Sequence, residues 1–229
     1  MKVFSLIPAY NEEKTIYEVV RRVKKLKMIP IVIDDNSSDR TSELAKKAGA
    51  IVLSHKVNKG KGEALKTGFE YLKKRKDVKA VVLLDADLQY SPEEAIKLLA
   101  PIESKEADFV TGYRDFKNIP FRHKLGNFVW RNSFNLLFGT NFKDTNCGLM
   151  AIAGNKIKTL SKAVYGGYII ENALFVEALK KRLKIKQVPV KVTYKKKSGI
   201  IRGVRVVLGV LIFILTQGIK FRFAKDKFI

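Results

Sequence analysis

Asp85-Ala-Asp87-Leu-Gln89 places three oxygen-bearing side chains at alternate positions. Two carboxylates and an amide oxygen this close suit a hard divalent cation, Mg2+ or Mn2+, and such an ion would also hold a diphosphate. An Asp-x-Asp pair by itself is a weak signal, since the same residues make ordinary polar turns. Three further stretches carry similar chemistry. Pro8-Ala-Tyr-Asn-Glu-Glu13 and Asp34-Asp-Asn-Ser-Ser-Asp39 are rich in hydrogen-bonding side chains. Asn58-Lys-Gly-Lys-Gly62 offers a glycine-bearing backbone patch able to face phosphate.

The elements around these stretches give them a common place. Ala80–Leu84 is a short apolar run, the pattern of a central strand covered on both faces. Ser91, Pro92 and Glu94 read as a helix start, with Ser at N-cap, Pro at N1 and Glu at N3. Val3–Ile7, Pro30–Ile33 and Ile51–Leu53 predict three earlier strands, alternating with helices over Thr15–Leu26, Thr41–Ala48 and a segment ending at Leu72. That alternation predicts an α/β fold whose mostly parallel sheet carries helices on both faces. In such a sheet the four loops all leave at the carboxyl edge, where ligands bind. Their convergence, rather than any one loop, makes the case for a pocket.

Beyond Leu84 the pattern loosens. Asp108–Thr111 predicts a strand, Gly112–Pro120 a loop containing Arg114, and Gly126–Phe138 an apolar helix with the only tryptophan, Trp130. Lys143–Gly148 reads as a loop before a short strand, Leu149–Ile152. Glu171–Lys181 reads as a helix and Ile185–Tyr194 as an edge strand.

The 229 residues suffice for one domain with a substantial core. The division expected is a catalytic domain over 1–198 and a basic, apolar segment over 199–229. No cleavable signal peptide is expected, because Met1–Ile7 runs directly into a strand pattern. Cys147 is the single cysteine and fits a small buried side chain in a cytosolic setting. The net charge is +23, and residues 178–229 hold 15 Lys/Arg against one acid, Asp226, or +14 of that total. An anionic partner follows. Without a zinc-finger, RNP or helix-turn-helix signature, a membrane surface or phosphorylated substrate is favoured over nucleic acid. Val206–Thr216 is nearly unbroken apolar, flanked by Arg202 and Arg205 on one side and Lys220, Arg222 and Lys225 on the other. The 14 residues from Val206 to Ile219 would span about 21 Å as a helix, short of a hydrocarbon core of about 30 Å. An interfacial helix with snorkelling basic ends is expected; the alternative is a helix buried against the domain.

As a set, these motifs resemble the family 2 glycosyltransferases of the GT-A fold, and within them the dolichol-phosphate mannose synthases and related polyprenyl-phosphate glycosyltransferases. The matching residues are Pro8–Glu12, Asp34–Thr41, Asn58–Gly62, Asp85–Gln89, Gly112–Arg114 and Asp144–Gly148, and the likeness runs from residue 2 to about 200. The resemblance implies that Pro8, Ala9, Tyr10, Glu12, Ile33 and Asp35 line a nucleoside pocket. It implies that Lys59, Gly60, Asp85 and Ala86 also face the nucleotide-sugar, with the metal on Asp85, Asp87 and Gln89. Arg114, Arg122 and Lys195 would hold the acceptor phosphate, and Asp144 would orient acceptor or sugar. The expected reaction is inverting transfer of one hexose from a GDP-mannose- or UDP-glucose-type donor to a dolichyl phosphate. The place implied is the cytoplasmic membrane face, with the chain peripheral or monotopic. Two departures stand out: Asn36 replaces the family's usual glycine, and Lys195-Lys-Lys-Ser-Gly199 replaces an arginine-led run.

Rival readings are a nucleotidyltransferase, a haloacid-dehalogenase-like phosphatase, a transferase acting on a glycan or another lipid, and a non-catalytic basic membrane-binding module. Pro8–Glu13 lacks the glycines of the first, and Asp85-x-Asp87 follows the fourth strand rather than the first strand of the second. Asp34 and Asp39 have a purely local alternative, capping a turn and a helix. Tyr10 has packing as its alternative. His55 and His123 are expected to be solvated or hydrogen-bonded rather than catalytic.

Overall fold

The computed structural model describes residues 1–115, 121–163, 169–193 and 200–225. Seven strands form one sheet: β1 (Lys2–Ala9), β2 (Ile29–Asp34), β3 (Ile51–Ser54), β4 (Val78–Leu83), β5 (Phe109–Arg114), β6 (Met150–Ala153) and β7 (Ile185–Val190), in the order β3-β2-β1-β4-β6-β5-β7. All neighbours run parallel except β6, which is antiparallel to both β4 and β5. β7 is an edge strand, as its sequence predicts, although it ends at Val190 rather than Tyr194.

Side-chain alternation explains the two covered faces. Leu6, Ile31, Ile33, Val81 and Leu83 point to one side. There they meet α3 (Lys61–Lys73), α5 (Phe121–Phe138), α6 (Ile157–Leu160), α7 (Ile170–Lys180) and α8 (Ile200–Lys225). Ile7, Val32, Val82 and Leu84 point to the other. These pack on α1 (Ile16–Lys25), α2 (Thr41–Lys47) and α4 (Ala95–Glu103). The first face is aromatic at its centre: Phe175 lies edge-on to Phe109 and Phe134, which stacks on Phe138.

One local expectation is corrected, and two elements are defined more closely. Arg114 ends β5 rather than sitting in a loop, because Gly112–Arg114 pairs with Val188–Val190. Ser91 stands at the N-cap and Pro92 at the start of the turn as expected, without a side-chain cap bond. Residues Pro92–Glu94 form a 3-10 turn before α4. Ser91 bonds Glu93 instead, and the Glu94 carboxylate accepts the Lys191 amide and the Lys97 ammonium. Finally, α8 is docked on the domain. Val210, Phe213 and Ile214 are buried, and Phe221 meets Phe138.

Helices α5 and α8 lie side by side in the same direction. A Cβ on Gly218 would fall 2.6 Å from Leu137 Cβ, so only glycine allows this approach. Arg222 completes the contact by donating to the carbonyls of Leu136 and Leu137, at 2.6 and 3.2 Å. No helix of the described residues is long and apolar enough to cross a membrane.

Candidate active site

The strand order reverses between β1 and β4, and a crevice opens there at the carboxyl edge, where the switch-point rule places ligands. Because β6 is antiparallel, the loop before it, rather than after it, reaches the same rim. The cavity measures about 530 Å3. Pro8, Ala9, Tyr10 and Glu12 line it from the loop after β1, and Asp35 from the loop after β2. Asp85, Ala86 and Asp87 follow β4, Arg114 closes β5, and Asn146 precedes β6. Nine of the residues expected at the site thus meet in one space.

Backbone stitching fixes the first wall. The Asp35 amide donates to the Ala9 carbonyl at 2.9 Å, and the Glu12 amide to Thr41 Oγ1 at 2.7 Å. Asn11 and Asn36 take φ of 54° and 64°. Asparagine tolerates that left-handed region. Tyr10 is 51% exposed at the cavity rim, so its ring is open to stacking rather than packed. Asp34 and Asp39 take their local roles: Asp34 accepts the Ser37 amide at 3.2 Å, and Asp39 the Thr41 amide at 2.9 Å.

Asp35 is the best-held carboxylate of this wall. It accepts His55 Nδ1 at 2.7 Å and the amides of Lys59 and Gly60 at 2.9 and 2.6 Å. His55 in turn bonds Thr67 at 2.8 Å. The glycine-bearing patch therefore serves an internal carboxylate, and Lys59 and Gly60 do not line the cavity. Burial alone would raise the Asp35 pKa; the donors from Lys59, His55 and Gly60 overcome it and hold the carboxyl below its ordinary 3.8. A lowered folded-state pKa contributes stability that is complete above the unfolded value and lost as pH falls through the folded one. Asp35→Asn should destabilise the fold by about 2 kcal/mol at pH 7. The gap to wild type in thermal melts should narrow below about pH 4.

Behind Arg114 lies a second carboxylate assembly, whose Asp144 does not itself line the cavity. Asp144 is buried and forked onto Arg114, with Nε at 2.6 Å and Nη2 at 3.0 Å, and it also accepts the Asn146 amide at 2.9 Å. Asn127 Oδ1 accepts a further bond from Arg114 at 3.1 Å. Burial opposes the charge on Arg114, but Asp144 dominates and raises its pKa above the ordinary value. Gln187 of β7 ties this loop down, donating to the Asp144 carbonyl at 2.6 Å. Cys147 is buried, and burial first of all pushes its thiol up to about 12, which leaves it inert at neutral pH.

Several expected residues fall elsewhere. Ile33 is wholly buried among Leu6, Leu65 and Phe69 and does not reach the cavity, because its position on β2 faces the core. Gln89 is outside the cavity lining; its amide donates to Asp87 Oδ1 at 3.0 Å and its carbonyl accepts the Thr193 amide at 2.9 Å. Lys195 and the Arg122 side chain lie outside the described residues. The sequence reading missed Lys61, Glu171 and Val210, which all line the cavity. Lys61 bridges Asp85 at 2.8 Å and Glu171 at 2.9 Å. A charged residue opening the apolar helix α7 was the available signal for Glu171.

Among the described residues, no group of three or more His, Cys, Asp or Glu is gathered as a metal cage. The lining nevertheless holds five carboxylates, Glu12, Asp35, Asp85, Asp87 and Glu171, against two cations, Lys61 and Arg114. A diphosphate entering such a space needs an added cation, and the hard oxygen donors of Asp85 and Asp87 fit one. Gly148 makes room beside them: a Cβ there would fall 2.7 Å from Asp85 Oδ2.

Residues 5–157 match the model of Glycosyl transferase family 2. The chain belongs to that family. A UDP-N-acetylglucosamine–dolichyl-phosphate N-acetylglucosaminyltransferase of Methanococcus voltae is 32% identical over 92% of this chain and 93% of its own. An uncharacterised protein of Methanocaldococcus jannaschii is 35% identical over 91% and 88%. The glucosyl-3-phosphoglycerate synthase of Mycobacterium tuberculosis, solved with Mn2+, uridine-diphosphate and phosphoglyceric acid, superposes with a TM-score of 0.78 at 22% identity, covering 95% of this chain and 78% of that one. The expected GT-A architecture is thereby established, and the family 2 glycosyltransferase described here is an enzyme.

Proposed function

We propose that this glycosyltransferase moves one hexose from a nucleotide-diphosphate sugar to a polyprenyl phosphate of the dolichyl type, with inversion at the anomeric carbon. The observation that carries this reading is the single cavity joining Tyr10 and Asp35 to Asp85, Asp87 and Arg114. The Methanococcus voltae relative, named for a dolichyl-phosphate acceptor, supports the acceptor class. Tyr10 and Asp35 would take the nucleoside, by ring stacking and by hydrogen bonds to its hydroxyls. Asp85 and Asp87 would hold a Mg2+ or Mn2+ ion, which when bound neutralises charge growing on the diphosphate. An acceptor phosphate oxygen attacks C1 of the hexose, and the bond from C1 to the diphosphate oxygen breaks with its electron pair leaving on the nucleoside diphosphate. The nucleophile is already ionised at neutral pH, so no residue must remove a proton. Arg114, anchored by Asp144, would offset repulsion between the two phosphorylated substrates. A panel of GDP-mannose, UDP-glucose and UDP-N-acetylglucosamine tests the reading, with nucleoside-diphosphate release measured with and without dolichyl phosphate. Release that ignores the lipid under every donor would overturn it.

The acceptor reading includes a membrane surface, with residues 199–229 as the associating segment on the cytoplasmic face. Ile212, Leu215, Ile219 and Phe223 form an exposed stripe along α8 at spacings of three and four. Phe128 and Leu136 of α5 are also exposed, the latter 71%. Lys220 and Arg222 border the stripe. Trp130 of α5 and Val210 of α8 line the cavity, so the same helix pair reaches from apolar surface to site. Changing Leu215 and Ile219 together to Asp should weaken sedimentation with anionic vesicles by more than about tenfold, because each apolar side chain contributes about 1.5–3 kcal/mol on burial. Unchanged pelleting would place the membrane contact elsewhere.

A further inference from the structure

Lys61 stands where an incoming cation would go. Its ammonium lies 2.8 Å from Asp85 Oδ1 and 2.9 Å from Glu171 Oε1. Its side chain keeps about a third of its surface open to the cavity, with 32% exposed. Glu171 is half as open, at 14%, and lies 110 residues away, on the first turn of α7. Gly148 lies beside both groups, where a Cβ would fall 2.7 Å from Asp85 Oδ2 and 3.5 Å from Lys61 Nζ, so the ion pair sits close against its backbone. A divalent ion seated on Asp85 and Asp87 would meet a like charge within a few ångströms of its own position. A divalent ion on Asp85 would compete with the ammonium for that carboxylate's charge, and Lys61 has a second carboxylate already in reach.

We propose that Lys61 is the resident counter-cation of Asp85, and that Glu171 is the positioning residue that retains it when a divalent ion arrives, leaving the ammonium beside the donor's diphosphate. The inference rests on the reading of Asp85 and Asp87 as cation ligands. It assigns the Lys61–Glu171 pair two opposed effects. Against the bare ion, Lys61 is a competitor. Toward the nucleoside diphosphate, it is a partner, a point charge of the kind that binds phosphate.

Opposite signs make the test decisive. Mn2+ alone is titrated by calorimetry, followed by UDP and GDP at saturating Mn2+. Lys61→Met should bind Mn2+ alone about tenfold more tightly, and the nucleoside diphosphate about tenfold more weakly. Glu171→Gln, which leaves Lys61 only Asp85, should weaken binding of Mn2+ alone. Circular dichroism checks that each variant is folded, and Lys61→Gln stands in with the same expected signs should the methionine variant fail to fold. A Lys61 variant that is folded and binds Mn2+ with unchanged or lower affinity makes Lys61 a structural strut and overturns the inference. A wild-type chain that does not bind Mn2+ overturns the metal reading instead, so the two failures are told apart.

Discussion

Asp87→Ala is expected to lower turnover about a thousandfold while the chain stays folded. Asp87 projects into the cavity from the turn after β4. Within its own turn, one oxygen accepts the Gln89 amide at 3.0 Å, a bond worth about 1 kcal/mol. On the proposed reading its role in the reaction would be large, because it would help hold charge against a departing diphosphate. Removing one such stabilising group costs about a hundred- to a thousandfold in rate, and losing the ion it holds costs at least as much. Nucleoside-diphosphate release at saturating Mn2+ measures the loss, and thermal melts confirm the fold. Full activity of the variant in the presence of a chelator would refute the role.

Asp144→Ala should produce the opposite pattern, a large loss of stability. The forked pair with Arg114 is buried, and Asn127, a neutral amide, cannot neutralise the guanidinium left behind. Removing one partner of a buried ion pair costs about 3–5 kcal/mol. For a chain of this length that corresponds to a fall in melting temperature of roughly 6–20 °C. Asp144→Asn, which keeps a hydrogen-bond acceptor, should fall between. A melting temperature within a degree or two of wild type would show that Arg114 finds another carboxylate.

The donor half was readable because each of its motifs follows a strand that the hydrophobic pattern marks. Once β1, β2 and β4 were parallel, Tyr10, Asp35 and Asp87 had to share an edge. The acceptor half was less readable for physical reasons. Whether Arg114 lies in a loop or a strand depends on its pairing with β7, more than seventy residues later, and local propensity does not report that. The Gly-Lys-Gly stretch looked like a phosphate cradle because its amides are free in sequence; tertiary folding turns those of Lys59 and Gly60 toward Asp35. Attention to its glycines also hid Lys61, whose side chain matters more than its backbone. Ile33 was placed in the pocket by family likeness, yet its parity along β2 sends it to the core. Val210 was not readable as a site residue, because it lies in the apolar C-terminal segment, far along the chain from the motifs it joins at the cavity.

The reversed strand β6 has a consequence for how this scaffold can change. Pro8–Glu12 and Asp35 reach the chamber on turns that end strands, whereas Asn146 reaches it on a turn that begins one. On the proposed reading, lengthening that turn would alter the acceptor side while leaving the turns that face the donor in place, and chimaeras joined near residue 115 should inherit the two preferences separately.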